Sequence, residues 1–276
     1  MYVAIQLPTS SRRIIIQSMD PDVYPVIQCI TNSYFPFSSL GDSFTRTPND
    51  LILNINNYSI LFDDKRNIGI YVTPDNLYRT LMKHIQNNLL INDGYGILHG
   101  SAIVHNNKSI LFLGASGTGK TTLVSYLNYE ESMPCIADDI LVIDTTYNRV
   151  FSSRSCFHLR KSTLSLLPSL KDLRPQNYYS EIITRYILNY NNANNNISYP
   201  IDYIFILNRS NDLSSIPSIK VCNDIEQIII NAFCPYALKA NILSANHIFS
   251  KNSIYELFYG KLDDCALILK NLDHFI

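Results

Sequence analysis

The stretch SILFLGASGTGKTTLVSYL, Ser109 to Leu127, decides how this chain is read. An apolar run with strand character leads into a glycine-rich turn. A run with Leu123, Val124 and Leu127 at helical spacing follows it. Between them, Gly114-x-x-x-x-Gly119-Lys120-Thr121 matches the pattern GxxxxGK[ST]. Consecutive backbone N–H groups can form a concave anion nest only where the chain reaches dihedrals that glycine adopts without steric cost. The helix that starts near Lys120 aims its positive end at the same point. The expected phosphate cradle is Gly114, Ala115, Ser116, Gly117, Thr118, Gly119, Lys120, Thr121 and Thr122. Within it, Lys120 reaches the β and γ phosphates of ATP or another nucleoside triphosphate, and the Thr121 hydroxyl ligates Mg²⁺.

Beyond the helix, CIADDILVI carries two adjacent carboxylates, Asp138 and Asp139. A carboxylate at the end of a strand beside such a loop is the usual second anchor for Mg²⁺. Neighbouring strand residues point to opposite sides, so both reach one site only if the strand bends or ends there. If both do, one can hold metal while the other takes a proton from an attacking hydroxyl. The alternative is one functional aspartate and one solvated one. His99, in LHGS, is expected on the strand paired with the one that delivers the loop. A strand histidine is more often a structural residue than a catalytic one. His105 lies at the hairpin turn and reads as solvated, and His84, His158, His247 and His274 show no metal-ligand spacing.

The rest of the chain supplies organisation. YVAIQL, RRIIIQS, DLILNIN, YSILF and NIGIYV predict a β-rich region over the first 72 or so residues. Leu77 to Leu90 has helical periodicity, and NDGYG, Asn92 to Gly96, reads as a junction. ILHGSAIVH and SILFLG predict two strands joined at HNNK, and YIFILNR another buried strand. The tract from Asn189 to Pro200 reads as a polar loop, and the C-terminal third as helical around the strand SIYELFY. The expected domains are residues 1–92, β-rich, and residues 93–276, α/β and carrying the loop.

With 46% hydrophobic residues, 276 positions suffice for a sizeable core. A net charge of −1 with interspersed signs argues against a nucleic-acid partner and a polybasic membrane anchor. No apolar run reaches the roughly 18 residues that span a bilayer. The six cysteines (Cys29, Cys135, Cys156, Cys222, Cys234 and Cys265) show no CxxC spacing and read as reduced thiols of a cytoplasmic protein. Homo-oligomers remain open.

LHGSAIV, ILFLGASGTGKTTL and IADDILVI, taken together, resemble the kinase domain of the HPr kinase/phosphorylase superfamily, which shares its P-loop core with phosphoenolpyruvate carboxykinases. The likeness is good over about residues 95–160 and weaker through FHLRKS, YIFILNR and SIYELFY. The chain lacks the long glycine-rich signature and the basic C-terminal segments of true HPr kinase/phosphorylases. It looks closer to stand-alone peptide-tailoring kinases such as lasso-peptide kinases. The resemblance implies an α/β P-loop kinase fold and transfer of phosphate from ATP with Mg²⁺ to a Ser/Thr-type hydroxyl on a peptide or small protein. Asp138 would be the general base, Thr121 and Asp139 the Mg²⁺ ligands, and His99 a neighbour of the transferred phosphate. Arg160 would stabilise its charge, or else be a surface arginine. A free-serine-like acceptor, and a nucleotide-driven switch with no transfer, are the rival readings.

Overall fold

The computed structural model describes residues 2–6, 13–19, 38–41, 45, 50–56, 59–63, 69–71, 95–152, 156–170, 186–190, 198–224 and 240–276. The helix expected at Leu77 to Leu90, the boundary at residue 92, Cys29, Cys234 and most of the Asn-rich tract lie outside them.

The N-terminal strands form a sheet of their own. They are β1 (Tyr2–Gln6), β2 (Arg13–Ser18), β3 (Ser38–Gly41), β4 (Leu51–Asn56), β5 (Ser59–Asp63) and β6 (Gly69–Tyr71), in the order β3-β1-β2-β4-β5-β6. Ile14, Ile15 and Ile16 are all buried, so both faces of β2 are covered, which is why that segment is a continuous apolar run rather than an alternation. At its start, the Arg13 guanidinium donates twice to Asp50, at 2.9 and 2.7 Å.

The second region begins at β7 (Tyr95–Leu98), so Tyr95 and Gly96 open a strand rather than close a junction. It continues through β8 (Gly100–His105), β9 (Lys108–Leu113), α1 (Lys120–Tyr129), β10 (Cys135–Ala137), β11 (Leu141–Asp144), β12 (Arg149–Phe151), β13 (Cys156–Leu159) and α2 (Lys161–Leu164). Then come β14 (Tyr186–Asn189), β15 (Ser198–Pro200), β16 (Tyr203–Arg209), β17 (Ser218–Val221), α3 (Ala240–Lys251), β18 (Ile254–Tyr259) and α4 (Leu262–Lys270). The central sheet has the order β10-β8-β9-β16-β18-β17, with β9, β16 and β18 parallel. A second sheet runs β15-β12-β11-β7, and β13 pairs with β14 alone.

Alternation along the central strands sorts the core into two layers. Ile110 and Phe112 of β9, with Phe205 and Leu207 of β16, pack with Leu123, Val124 and Leu127 of α1 and with Cys265 and Leu269 of α4. Leu111, Leu113, Ile204 and Ile206 face the other way, toward Leu141, Ile143 and Val150 of the second sheet and Ile248 and Phe249 of α3. Helices therefore cover one face of the central sheet, and a second sheet with one helix covers the other.

Two expected strands are each broken. ILHGSAIVH divides at His99 into β7 and β8, and CIADDILVI divides at 138–140 into β10 and β11. In each case the first and second halves belong to different sheets, and the halves pair with each other's counterparts: β7 with β11, β8 with β10. Two neighbouring strands thus switch sheets at one level. At that fork a Cβ on Gly100 would lie 2.7 Å from the Phe112 carbonyl oxygen, so only glycine fits the crossing.

Candidate phosphate-binding site

The Gly-rich loop joins the end of β9 to α1, as the strand–loop–helix reading requires. Gly114, Gly117 and Gly119 have φ of 155°, 90° and 95°, the last two squarely in the region closed to most side chains. Gly119 caps α1 without any side-chain bond, and the first turn holds no acidic residue. The leading N–H groups of a ten-residue helix are left for an anion. Lys120 is buried, and its Nζ donates to the carbonyls of Gly114 at 2.6 Å and Ala115 at 3.0 Å, inside the loop. Burial lowers its pKa to about 8, against the opposing pull of Asp139 and Asp138. The Thr122 hydroxyl lies 3.2 Å from that of Thr163, which ties α1 to α2.

Asp138 and Asp139 leave the end of β10 on different courses. Asp138 is 1% exposed. Its Oδ1 accepts hydrogen bonds from the Thr121 hydroxyl at 2.9 Å and the Ser101 hydroxyl at 2.7 Å. Asp139 takes a left-handed backbone, φ 73°, and its side chain is 44% exposed. Such a turn is tolerated by aspartate and is where functional sites concentrate strain. His99 spans the fork: its Nδ1 lies 2.9 Å from the Asp139 carbonyl oxygen and 3.4 Å from the carboxylate. A carbonyl can only accept, so Nδ1 is the donor in this contact.

The structure therefore brings Lys120, Thr121, Asp138, Asp139 and His99 together. For the expected division, with Asp138 as base and Asp139 on the metal, the structure supplies the surroundings of each carboxylate. The buried carboxylate already holds the loop threonine, whereas the solvent-facing one is open to an incoming group. Arg160 is exposed at the start of α2, and its guanidinium bonds to none of the described residues. Ser101 and Arg209 were not anticipated. The first is signalled only by its place two residues beyond His99, the second only by closing the strand YIFILNR.

The donor set fits Mg²⁺. No group of three His, Cys, Asp or Glu side chains forms a cage among the described residues. Mg²⁺ is commonly held by one or two carboxylates, a hydroxyl and the phosphates of its nucleotide, and Thr121 with Asp138 supplies that partial set. Cys135, Cys222 and Cys265 are free thiols. No helix among the described residues is long and apolar enough to cross a membrane.

No family model and no curated protein matches the chain. Among solved structures, the HPr(Ser) kinase/phosphatase from Coxiella burnetii aligns at 10% identity, over 64% of this chain and 95% of that one, with a TM-score of 0.32. Overlap at that level decides nothing about this chain.

Proposed function

We propose that this chain is an ATP- and Mg²⁺-dependent kinase that phosphorylates a Ser/Thr-type hydroxyl, on a peptide or small protein. The observation that carries the reading is the bond from the Thr121 hydroxyl to buried Asp138, with exposed Asp139 and His99 beside it. A nucleotide switch needs Lys120, Thr121 and one carboxylate. A second carboxylate, turned outward and held by a histidine, is what an alcohol acceptor needs in addition, because the alcohol must lose a proton.

Lys120 and the free N–H groups of α1 bind the phosphates, and Thr121 with Asp138 would hold Mg²⁺. When bound, that ion neutralises charge on the β and γ phosphates. Asp139 accepts the proton from the acceptor hydroxyl. His99 is a positioning residue: it fixes the left-handed turn through the Asp139 carbonyl. The resemblance noted in the sequence supports the same activity and the family of acceptors, with the two aspartates exchanged.

The test is an ATP titration with and without Mg²⁺, paired with phosphate transfer to trial Ser and Thr peptides. Asp138→Asn should lose the gain in ATP affinity that Mg²⁺ confers. Asp139→Asn should bind Mg-ATP within a few-fold of the parent but transfer phosphate about 10²–10⁴-fold more slowly. Transfer at the parent rate in Asp139→Asn would exclude it as the base. A parent that hydrolyses ATP but phosphorylates no hydroxyl would favour the switch.

A further inference from the structure

The phosphate cradle has two flanks. Asp138 and Asp139 lie on one, beyond β8. On the other, β9, β16 and β18 run parallel, so their C-terminal ends open on the edge where the Gly-rich loop lies. Sheets of this kind bind ligands beyond those ends. An open cavity of about 790 Å³ occupies that place. Small-molecule sites span roughly 300–1,000 Å³. Its walls include Gly117 and Thr118 of the loop, Arg209 from the end of β16, Leu213 from the connection to β17, and Phe258 and Tyr259 from the end of β18.

Three observations mark it as a binding site. Arg209 is exposed, and its guanidinium bonds to none of the described residues. Its Cδ and Nη1 lie 3.7 Å from where a Cβ on Gly119 would stand, beside the uncapped end of α1. The Tyr259 hydroxyl is 3.6 Å from the same point. That tyrosine is 1% exposed, and its hydroxyl has no hydrogen-bond partner among the described residues. A buried orphan of this kind is costly unless a ligand group completes it. Finally, Leu213, 56% exposed, lines the cavity with Asn211 and with Phe258, whose ring carries the Lys220 Nζ 5.0 Å from its centroid.

We infer that this cavity takes the nucleoside half of the triphosphate, with the base against Leu213 and Phe258 and Arg209 on the phosphates. The inference rests on the cradle being a triphosphate site. If the terminal phosphate lies at Thr121 and the two carboxylates, the other end of the molecule must leave by the opposite flank. A nucleoside offers a flat apolar face and a polar edge, which matches Leu213 and Phe258 and the Asn211 and Tyr259 groups.

The experiment compares ATP with inorganic tripolyphosphate, both with Mg²⁺, by calorimetry on the parent and two variants. The parent should bind ATP at least about tenfold more tightly than tripolyphosphate, because only ATP fills the cavity. Leu213→Asn, at a position more than half exposed, should weaken ATP by about threefold or more and leave tripolyphosphate within about twofold. Arg209→Gln should weaken both ligands by about tenfold. Equal binding of the two ligands by the parent, or unchanged ATP affinity in Leu213→Asn, overturns the inference. So does Leu213→Asn binding ATP as the parent does while transferring phosphate more slowly, since the cavity would then serve the acceptor. A parent that binds neither ligand overturns the triphosphate reading of the cradle as well.

Discussion

Two carboxylates that are neighbours in the chain are not neighbours in environment. Asp138 is enclosed by Thr121 and Ser101, while one residue later a left-handed φ turns Asp139 into solvent. The sequence shows the pair and its distance from the loop. It does not show which is buried, because that depends on where β10 stops. Ser101, Arg209 and Tyr259 are equally silent in the sequence, since each matters through a partner far along the chain. Lys120 allows a test at this scale. Burial lowers its pKa to about 8, so it is charged below that value and neutral above it. Phosphates favour the charged form, so ATP binding draws a proton onto the amine. Affinity for ATP should fall roughly eightfold between about pH 7.5 and about pH 9. In Lys120→Ala this fall should vanish. Calorimetry in buffers of different ionisation enthalpy should register proton uptake in the parent at about pH 8.5 and none in the variant.

At the scale of elements, local chemistry was legible wherever it was local. HNNK predicts the turn between β8 and β9, and Asn106 and Asn107 do take φ of 50° and 62°, the two left-handed positions of a tight hairpin turn. The strands of YVAIQL, RRIIIQS and DLILNIN appear as read. β3, built from SSLG, was not foreseen, because nothing in it is β-branched or aromatic. The breaks at His99 and at Asp138 were missed for a different reason. Leu98 and Gly100 flank one break and Ala137 and Ile140 the other, all buried, so an apolar run resumes at once on the far side while the chain moves from one sheet to the next. The N-terminal sheet offers its own test. Asp50 has a fully buried carboxylate paired with Arg13. Arg13→Ala should remove the guanidinium from that buried carboxylate and lower stability by about 3 kcal/mol, read from denaturant unfolding. Loss of under about 0.5 kcal/mol, the scale of an exposed pair, would show that the pair contributes little.

For the molecule as a whole, composition promised a large core, and alternation along SILFL and YIFIL distributes it to both faces of the central sheet. Strand order lay beyond the sequence: β16 and β18, read as separate strands, join β9 in one parallel set through connections whose length carries no instruction about neighbours. That set forms the edge on which the loop, Arg209 and Tyr259 converge. The twin crossing beneath it has a further effect. His99 alone links β7 to β8, and Asp138, Asp139 and Ile140 link β10 to β11. Side chains alternate with a period of two, so one extra residue in either link reverses the parity of everything beyond it relative to the sheet it enters. An alanine inserted between His99 and Gly100 should abolish cooperative unfolding, whereas one inserted between Asn106 and Asn107, at an exposed tip, should leave a folded chain that still binds ATP. The link lengths act as a counting device: the same few residues that set the two carboxylates beside the Gly-rich loop also keep two sheets in phase.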